Sequence, residues 1–252
     1  MAGHSKWANV KHRKARMDAQ KGKIYTKMAR EIMVAAREGG DNIELNFRLR
    51  LAVQKAREAN LPTDNISRAI QKGVGGGEGA ELEQIYYEGY GPGGIAVLME
   101  IMTDNRNRTA PEIRHIFSRR GGNMGESGCV AWMFKRKGYF TLEKSDALPL
   151  EDELMMLALD SGAEDFQEEG GAYVIITSPE EFENMKNAFQ EKQIEFSSAE
   201  VTMVPENTIR INTAEEAAKM LGLFEALEEH DDVQNVYANF DIPEEIMNSL
   251  DA

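Results

Sequence analysis

The chain has 252 residues, enough for two or three compact domains, and its 42% hydrophobic and 29% charged residues are those of an ordinary globular protein, not of a disordered or membrane one. A single cysteine, Cys129, excludes an intramolecular disulfide and any multi-cysteine metal site, and fits a reducing compartment. The net charge of −14 is uneven: residues 1–77 hold 16 Lys and Arg against 7 Asp and Glu and the remainder 13 against 36, so a +9 end is joined to a −23 body and phosphate backbones are expected only at the first.

The opening stretch SKWANVKHRKARMDAQKGKIYTKM, residues 5–28, carries eight Lys and Arg and one acid, Asp18. It lacks the apolar stretch of a secretory signal and the Ser-rich character of a mitochondrial presequence, and Ala2 stands where myristoylation needs glycine, so a cytoplasmic protein is expected. Residues 5–20 are compatible with a helix. From Gly22 to Gly40, Ile24, Met28, Ile32 and Ala35 recur at spacings of three and four, the pattern of an amphipathic helix. Leu45, Leu49, Ala52, Val53 and Ala56 repeat it as far as about Asn60. A short third helix follows, capped by Thr63 or Asp64 and carrying Ile66, Ala69 and Ile70. GVGGGEG at 73–79 reads as a flexible linker.

Beyond it the period becomes strand-like. IYYEGY at 85–90 and IAVLMEIM at 95–102 flank the turn GPGG, a helix spans about 108–119, and CVAWMF at 129–134 reads as a further strand. The most apolar run, 94–102, is interrupted by Glu100 and falls well short of the roughly 20 residues of a membrane-spanning helix. Strands at 138–142, 163–168, 172–177 and 195–204 with helices at 150–160 and 179–191 give β-α-β-β-α-β, the ferredoxin-like order. TIRI at 208–211, a helix opened by Thr213 and VQNVYANF at 233–240 are expected to complete the earlier sheet. The expected fold is therefore mixed α+β: a basic helical domain at 1–78, a discontinuous α/β domain at 79–136 and 206–252, and a ferredoxin-like domain inserted at 137–205.

Candidate binding residues lie at the basic end. Lys6, Lys11, Arg13, Lys14, Arg16, Lys21, Lys23 and Lys27 supply attraction to phosphates, while Trp7, His12 and Tyr25 offer rings that stack on bases or sugars. The competing interpretation is a solvated face with Trp7 in a small core. A secondary anion site is expected where Arg106, Arg108 and Arg114 approach a helix N-terminus in TDNRNRTAPEIRH; the alternative there is a surface loop with Asp104 pairing one arginine. The glycines at 89–94 lead into a strand instead of a helix, so a hairpin turn is expected and not a phosphate loop. His4, His12, His115 and His230 show no metal-ligand spacing, Cys129 reads as a small core residue in a strand, and no catalytic set stands out, so no cofactor or metal is expected.

MAGHSKWANVKHRKARMDAQKGKIYTKMAREI, NFRLRLAVQKAREANLPTDNISRAI, YEGYGPGGIAVLME and TDNRNRTAPEIRHIF, at their separations, resemble the YebC family over nearly the whole chain. The resemblance implies three domains, a helical one followed by two α/β ones, and a probable DNA-binding regulator of transcription. A mitochondrial relative acts instead as a translational activator of a cytochrome oxidase subunit, and bacterial relatives have been linked to stalled ribosomes. The expected function is a non-enzymatic transcriptional regulator on DNA, with a translation factor on ribosomal RNA as the alternative; a hydrolase or nucleotide-binding enzyme using residues 89–115 is the competing hypothesis from a different class. The partners of the first two are nucleic acid with the transcription machinery or the ribosome; no membrane is expected, and a monomer is.

Overall fold

The computed structural model describes residues 21–75, 82–145, 148–169 and 171–250. Three helices form the first unit: α1 (Lys21–Gly39), α2 (Phe47–Glu58) and α3 (Thr63–Val74). Their apolar stripes close on one core, with Ile32, Ala35 and Ala36 of α1 meeting Leu49, Val53 and Ala56 of α2 and Ile66 and Ala69 of α3. Asn46 ties α1 to α2. Its Oδ1 accepts the Leu49 N–H at 3.0 Å as an N-cap, while its Nδ2 donates to the carbonyls of Ala35 and Gly40, each at 2.8 Å.

Two details depart from expectation. Neither Thr63 nor Asp64 caps α3: Pro62 stands at the cap without a side-chain bond, and its carbonyl accepts the Asn65 and Ile66 N–H groups. Gly73 is a packing residue inside α3 and not part of a linker, since a Cβ there would lie 2.5 Å from the Met33 carbonyl oxygen of α1. Residues 76–79 of the expected linker lie outside the described residues.

The body contains β1 (Glu83–Tyr90), β2 (Ala96–Thr103), α4 (Arg106–Arg119), β3 (Asn123–Met124), β4 (Phe134–Glu143), α5 (Glu151–Asp160), β5 (Ala163–Glu169), β6 (Ala172–Thr177), α6 (Phe182–Glu191), β7 (Ser198–Pro205), β8 (Ile209–Arg210), α7 (Ala214–Glu228), β9 (Val233–Ala238), β10 (Phe240–Asp241) and α8 (Glu244–Leu250). The first sheet has the order β3-β1-β2-β9 and the second β5-β6-β4-β7, every pairing in both being antiparallel. The second order is that of the ferredoxin-like arrangement, and α5 and α6 cover one of its faces through Leu154, Phe182 and Phe189 against Phe140 and Ile175. In the first sheet β2 is buried on both sides. Val97, Met99 and Ile101 face Ile113 and Phe117 of α4 and Met220, Leu223 and Leu227 of α7, whereas Ala96 and Leu98 face Val130 and Phe134.

The architecture is therefore mixed α+β with antiparallel sheets behind a helical N-terminal unit. β9 joins the first sheet beside β2, as expected of the C-terminal segment. TIRI does not: only Ile209 and Arg210 are strand, and they pair in parallel with Phe240 and Asp241 in a separate ribbon. α8 escaped the sequence reading. CVAWMF is not a strand before Phe134; it makes a turn and a 3-10 segment, Ala131–Met133. The cause is Glu88, buried on β1, whose carboxylate accepts the N–H groups of Gly128 at 2.6 Å and of Val130 and Ala131 at 2.7 Å. Burial alone raises its pKa, but these three backbone bonds outweigh that and hold the carboxyl below its ordinary range.

Candidate nucleic-acid interface

Of the residues expected to bind phosphate, Lys6, Trp7, Lys11, His12, Arg13, Lys14 and Arg16 lie outside the described residues. Lys21 opens α1. The others on α1 meet the body. Lys23, Lys27 and Arg30 recur at spacings of four and three and so share one helix face. That face lies on the C-terminal end of α7, where the last carbonyls of a helix lack intrahelical donors and carry the negative end of its dipole.

Lys23 Nζ donates to the Glu229 carbonyl at 3.0 Å and Lys27 Nζ to the Glu228 carbonyl at 2.7 Å. Arg30 donates to the Asp231 carbonyl at 2.6 Å and to Asp232 Oδ1 at 3.1 Å. Two cations counted with the expected phosphate site thus hold α1 on the body, although Lys23 keeps about half of its side-chain surface exposed, at 49%.

Asp232 anchors this joint. It is buried, and its other oxygen, Oδ2, accepts from Arg108 at 2.7 Å and from the Thr109 hydroxyl at 2.8 Å. Burial pushes its pKa up, but the hydrogen bonds from Arg108 and Thr109 and the charges of Arg108 and Arg30 prevail and hold it below the usual carboxylate range. Between α1, α4 and the end of α7 lies a cleft of about 490 Å³, lined by Lys23, Arg30, Arg108, Glu112, His230 and Asp232 among others. Within it Arg30 and Arg108 are paired with Asp232, and His230 Nε2 stands 2.9 Å from Glu112.

A second joint sits one sheet face away. Arg48 of α2 pairs with Glu31 at 2.9 Å and Glu38 at 2.6 Å and reaches within 4.0 Å of Glu100 on β2. Burial, then the nearby charge of Glu31, raises the pKa of Glu100, while bonds from Asn235 and Tyr237 oppose the shift. Leu51 packs on the second sheet's core and Lys55 lies 3.4 Å from Glu200, so α2 touches both sheets.

The secondary anion site is divided. Asn105 caps α4, its Oδ1 accepting the Arg108 N–H at 3.1 Å. Arg106 pairs with Glu83, and Arg108 with Asp104 at 3.1 Å as well as with Asp232. The helix start is thus occupied by protein carboxylates, the alternative weighed from the sequence. Arg114, two turns further on, is exposed and has no ion pair among the described residues.

Sequence reasoning missed Arg30 and Asp232, because a clamp formed across about two hundred residues leaves no local pattern. It also passed over Arg119, Arg120 and Trp132; the indole is 62% exposed, which the apolar run around it conceals. Cys129 is half-buried in a turn, and burial followed by the Glu88 charge pushes its thiol pKa up, away from nucleophilic use. The Gly-rich stretch is a hairpin turn, with Tyr90 paired to Ala96 and positive φ at Gly93 and Gly94, so it aims no helix N-terminus at a ligand.

Residues 5–76 match the family domain described as the TACO1/YebC protein N-terminal domain, and residues 82–240 match the TACO1/YebC second and third domain. The chain belongs to the TACO1/YebC family. A TACO1/YebC relative from Natranaerobius thermophilus is 56% identical over 248 residues, 98% of this chain and 99% of that one, and is named a probable transcriptional regulatory protein. One from Desulfitobacterium hafniense bears the same name at 55% identity, covering 98% of each chain. Among solved structures, a conserved hypothetical protein of Aquifex aeolicus superposes with a TM-score of 0.80 at 48% identity, covering 92% of this chain and 95% of its own. Among the described residues no helix is long and apolar enough to cross a membrane, and no group of three or more His, Cys, Asp or Glu could hold a metal ion.

Proposed function

We propose that the protein is a non-enzymatic, cytoplasmic regulator of transcription that holds DNA through its basic N-terminal segment, with Lys6, Lys11, Arg13, Lys14 and Arg16 on phosphates and Trp7 and His12 on bases or sugars. The observation that carries this reading is the charge distribution: a +9 end on a −23 body leaves one region able to approach a polyanion. Full-length relatives named probable transcriptional regulatory proteins support it. The clamp refines it. Lys23 and Lys27 serve chiefly to seat α1, so the phosphate contacts concentrate N-terminal to it. Division into 1–78, 79–136 with 206–252, and 137–205 makes the first unit the binding head and the other two an acidic body. The protein works as a monomer without cofactor.

The test is the charge-reversed triple variant Lys11→Glu, Arg13→Glu, Lys14→Glu, titrated against a labelled DNA duplex. Binding is expected to be lost while the melting temperature holds, and wild-type affinity is expected to fall about three decades between 50 and 200 mM salt if about six phosphates are contacted. Undiminished duplex binding by the variant would sink the reading. Crosslinking in cells identifies the target: promoter DNA fits a transcriptional role, and a dominant ribosomal RNA signal would move the protein to translation, since phosphate contacts do not distinguish duplex types.

A further inference from the structure

Residues 137–205, which include the second sheet, hold four lysines and no arginine against sixteen Asp and Glu. Two of those lysines are already taken, Lys137 by Glu164 and Lys144 by Glu168. On helix α5 the acids surround something apolar. After Glu151, Asp152 and Glu153 come six apolar residues in a row, from Leu154 to Leu159. The sheet takes one side of that run: Leu154 and Ala158 are buried and Leu157 is half-buried against the core, whereas Met155, Met156 and Leu159 are exposed.

Among the described residues nine large apolar side chains are exposed, and four of them, Leu150, Met155, Met156 and Leu159, fall within one short stretch of chain. Scattered exposed apolar side chains are ordinary, but a group on one helix face marks a place of contact. Residues three and four apart are neighbours on a helix, so Met155 and Met156 both adjoin Leu159, and Met156 has Asp152, Glu153 and Asp160 around it. These three carboxylates are exposed and have no ion pair among the described residues. A helix that is apolar on two sides is normally covered on both. Among the described residues, only the inner side of α5 is covered.

The sign of the rim says what covers the other. Unpaired carboxylates repel nucleic acid and anionic lipid, and a second copy meeting this face with its own would set acid against acid. A cationic surface that carries apolar side chains satisfies both the strip and its rim. Methionine suits such a contact, because its unbranched, polarizable side chain adapts to the shape laid on it. α5 has ten residues and is about 15 Å long, room for about three turns of a second helix along it. We propose that the outer face of α5 is a docking surface for a basic amphipathic helix of another protein. The apolar side of that helix lies on Met155, Met156 and Leu159, and its Lys and Arg side chains pair with Asp152, Glu153 and Asp160. α5 packs beside β5 at one edge of the second sheet, whereas Lys55 of the head lies 3.4 Å from Glu200 on β7, at the other edge. A partner on α5 therefore leaves the seat of the head in place, and the inference is independent of what the head binds.

The experiment uses the full chain and three labelled peptides of equal length: a leucine–lysine amphipathic helix, a scrambled peptide of the same composition, and a leucine–glutamate helix of the same pattern. The wild type is expected to bind the first about tenfold or more tightly than either of the others. Met156→Ser with Leu159→Ser removes the strip and keeps every charge; Asp152→Asn, Glu153→Gln and Asp160→Asn together do the reverse. Each is expected to weaken binding of the leucine–lysine peptide about tenfold, and the second alone to flatten its salt dependence. A third variant, Glu191→Gln, Glu195→Gln and Glu245→Gln, loses the same charge at exposed positions elsewhere on the body and should bind within about twofold of the wild type. All the substituted side chains are exposed, so the melting temperatures are expected to hold. Unchanged affinity in either of the first two variants overturns the inference. An equal loss in the third variant, or equal binding of either other peptide, reduces the effect to diffuse attraction and overturns it as well. So does a wild type that binds none of the peptides, or a concentration-dependent dimer abolished by Met156→Ser with Leu159→Ser, since α5 would then face a second copy.

Discussion

Helices α1 and α4 are both rich in cations, yet the structure uses them differently. On α1 the described cations of one face, Lys23, Lys27 and Arg30, meet carbonyls at the end of α7 and the carboxylate of Asp232. On α4 the first turn is paired in the same manner, while Arg114, Arg119 and Arg120 stand exposed without ion pairs among the described residues. A count of positive residues therefore overstates the charge available to a ligand. What lies opposite decides which cations are structural and which are free.

Substitutions along the two helices sharpen this contrast. The largest effect is expected for Asp232→Ala, which leaves Arg30 of one helix and Arg108 of the other without their shared partner; urea unfolding should show a loss of about 3 kcal/mol. The same carboxylate sets a pH limb. Its folded pKa lies below the value it has when unfolded, so the unfolded chain takes up the proton first and the stabilisation, complete at neutral pH, drains away as pH falls below about 4. Asp232→Asn should flatten that limb in acid melts. Arg30→Ala, removing bonds to the Asp231 carbonyl and to Asp232, is expected to cost about 2 kcal/mol, and a cost near zero would mean that the clamp does not hold α1 in solution. Lys23→Ala, at a half-exposed site on the helix dipole, should cost about 0.5 kcal/mol and less at high salt. Arg114→Ala should change stability by less than about 0.5 kcal/mol; a larger loss would show that α4 carries a structural contact where the contrast needs a free one.

The rest of the molecule repeats the distinction between local and distant causes. Spacing alone placed α1, α2, α4, α7 and the β-α-β-β-α-β unit, because one-sided burial leaves a period of 3.6 or 2 that a linear chain displays. Thr213, whose hydroxyl accepts the Glu216 N–H at 3.2 Å, is a cap readable from the sequence for the same reason. Where a partner comes from far away, the reading failed. CVAWMF has a strand's composition, but two of its own N–H groups, with that of Gly128 just before it, are claimed by Glu88, about forty residues earlier. Gly73 has a linker's composition, yet it is glycine because the α1 backbone passes within a methyl's reach.

By itself, then, the sequence determined the helical head, the two α+β parts, the family and the opposition of a basic end to an acidic body, all of which follow from local periodicity, extended motifs and charge. Only the tertiary structure decided that Lys23, Lys27 and Arg30 seat the head on α7, that Arg106 and Arg108 are neutralised, and that Arg119, Arg120 and Trp132 remain exposed. Ion pairing acts over a few ångströms of space, and proximity in space is set by folding, not by position along the chain.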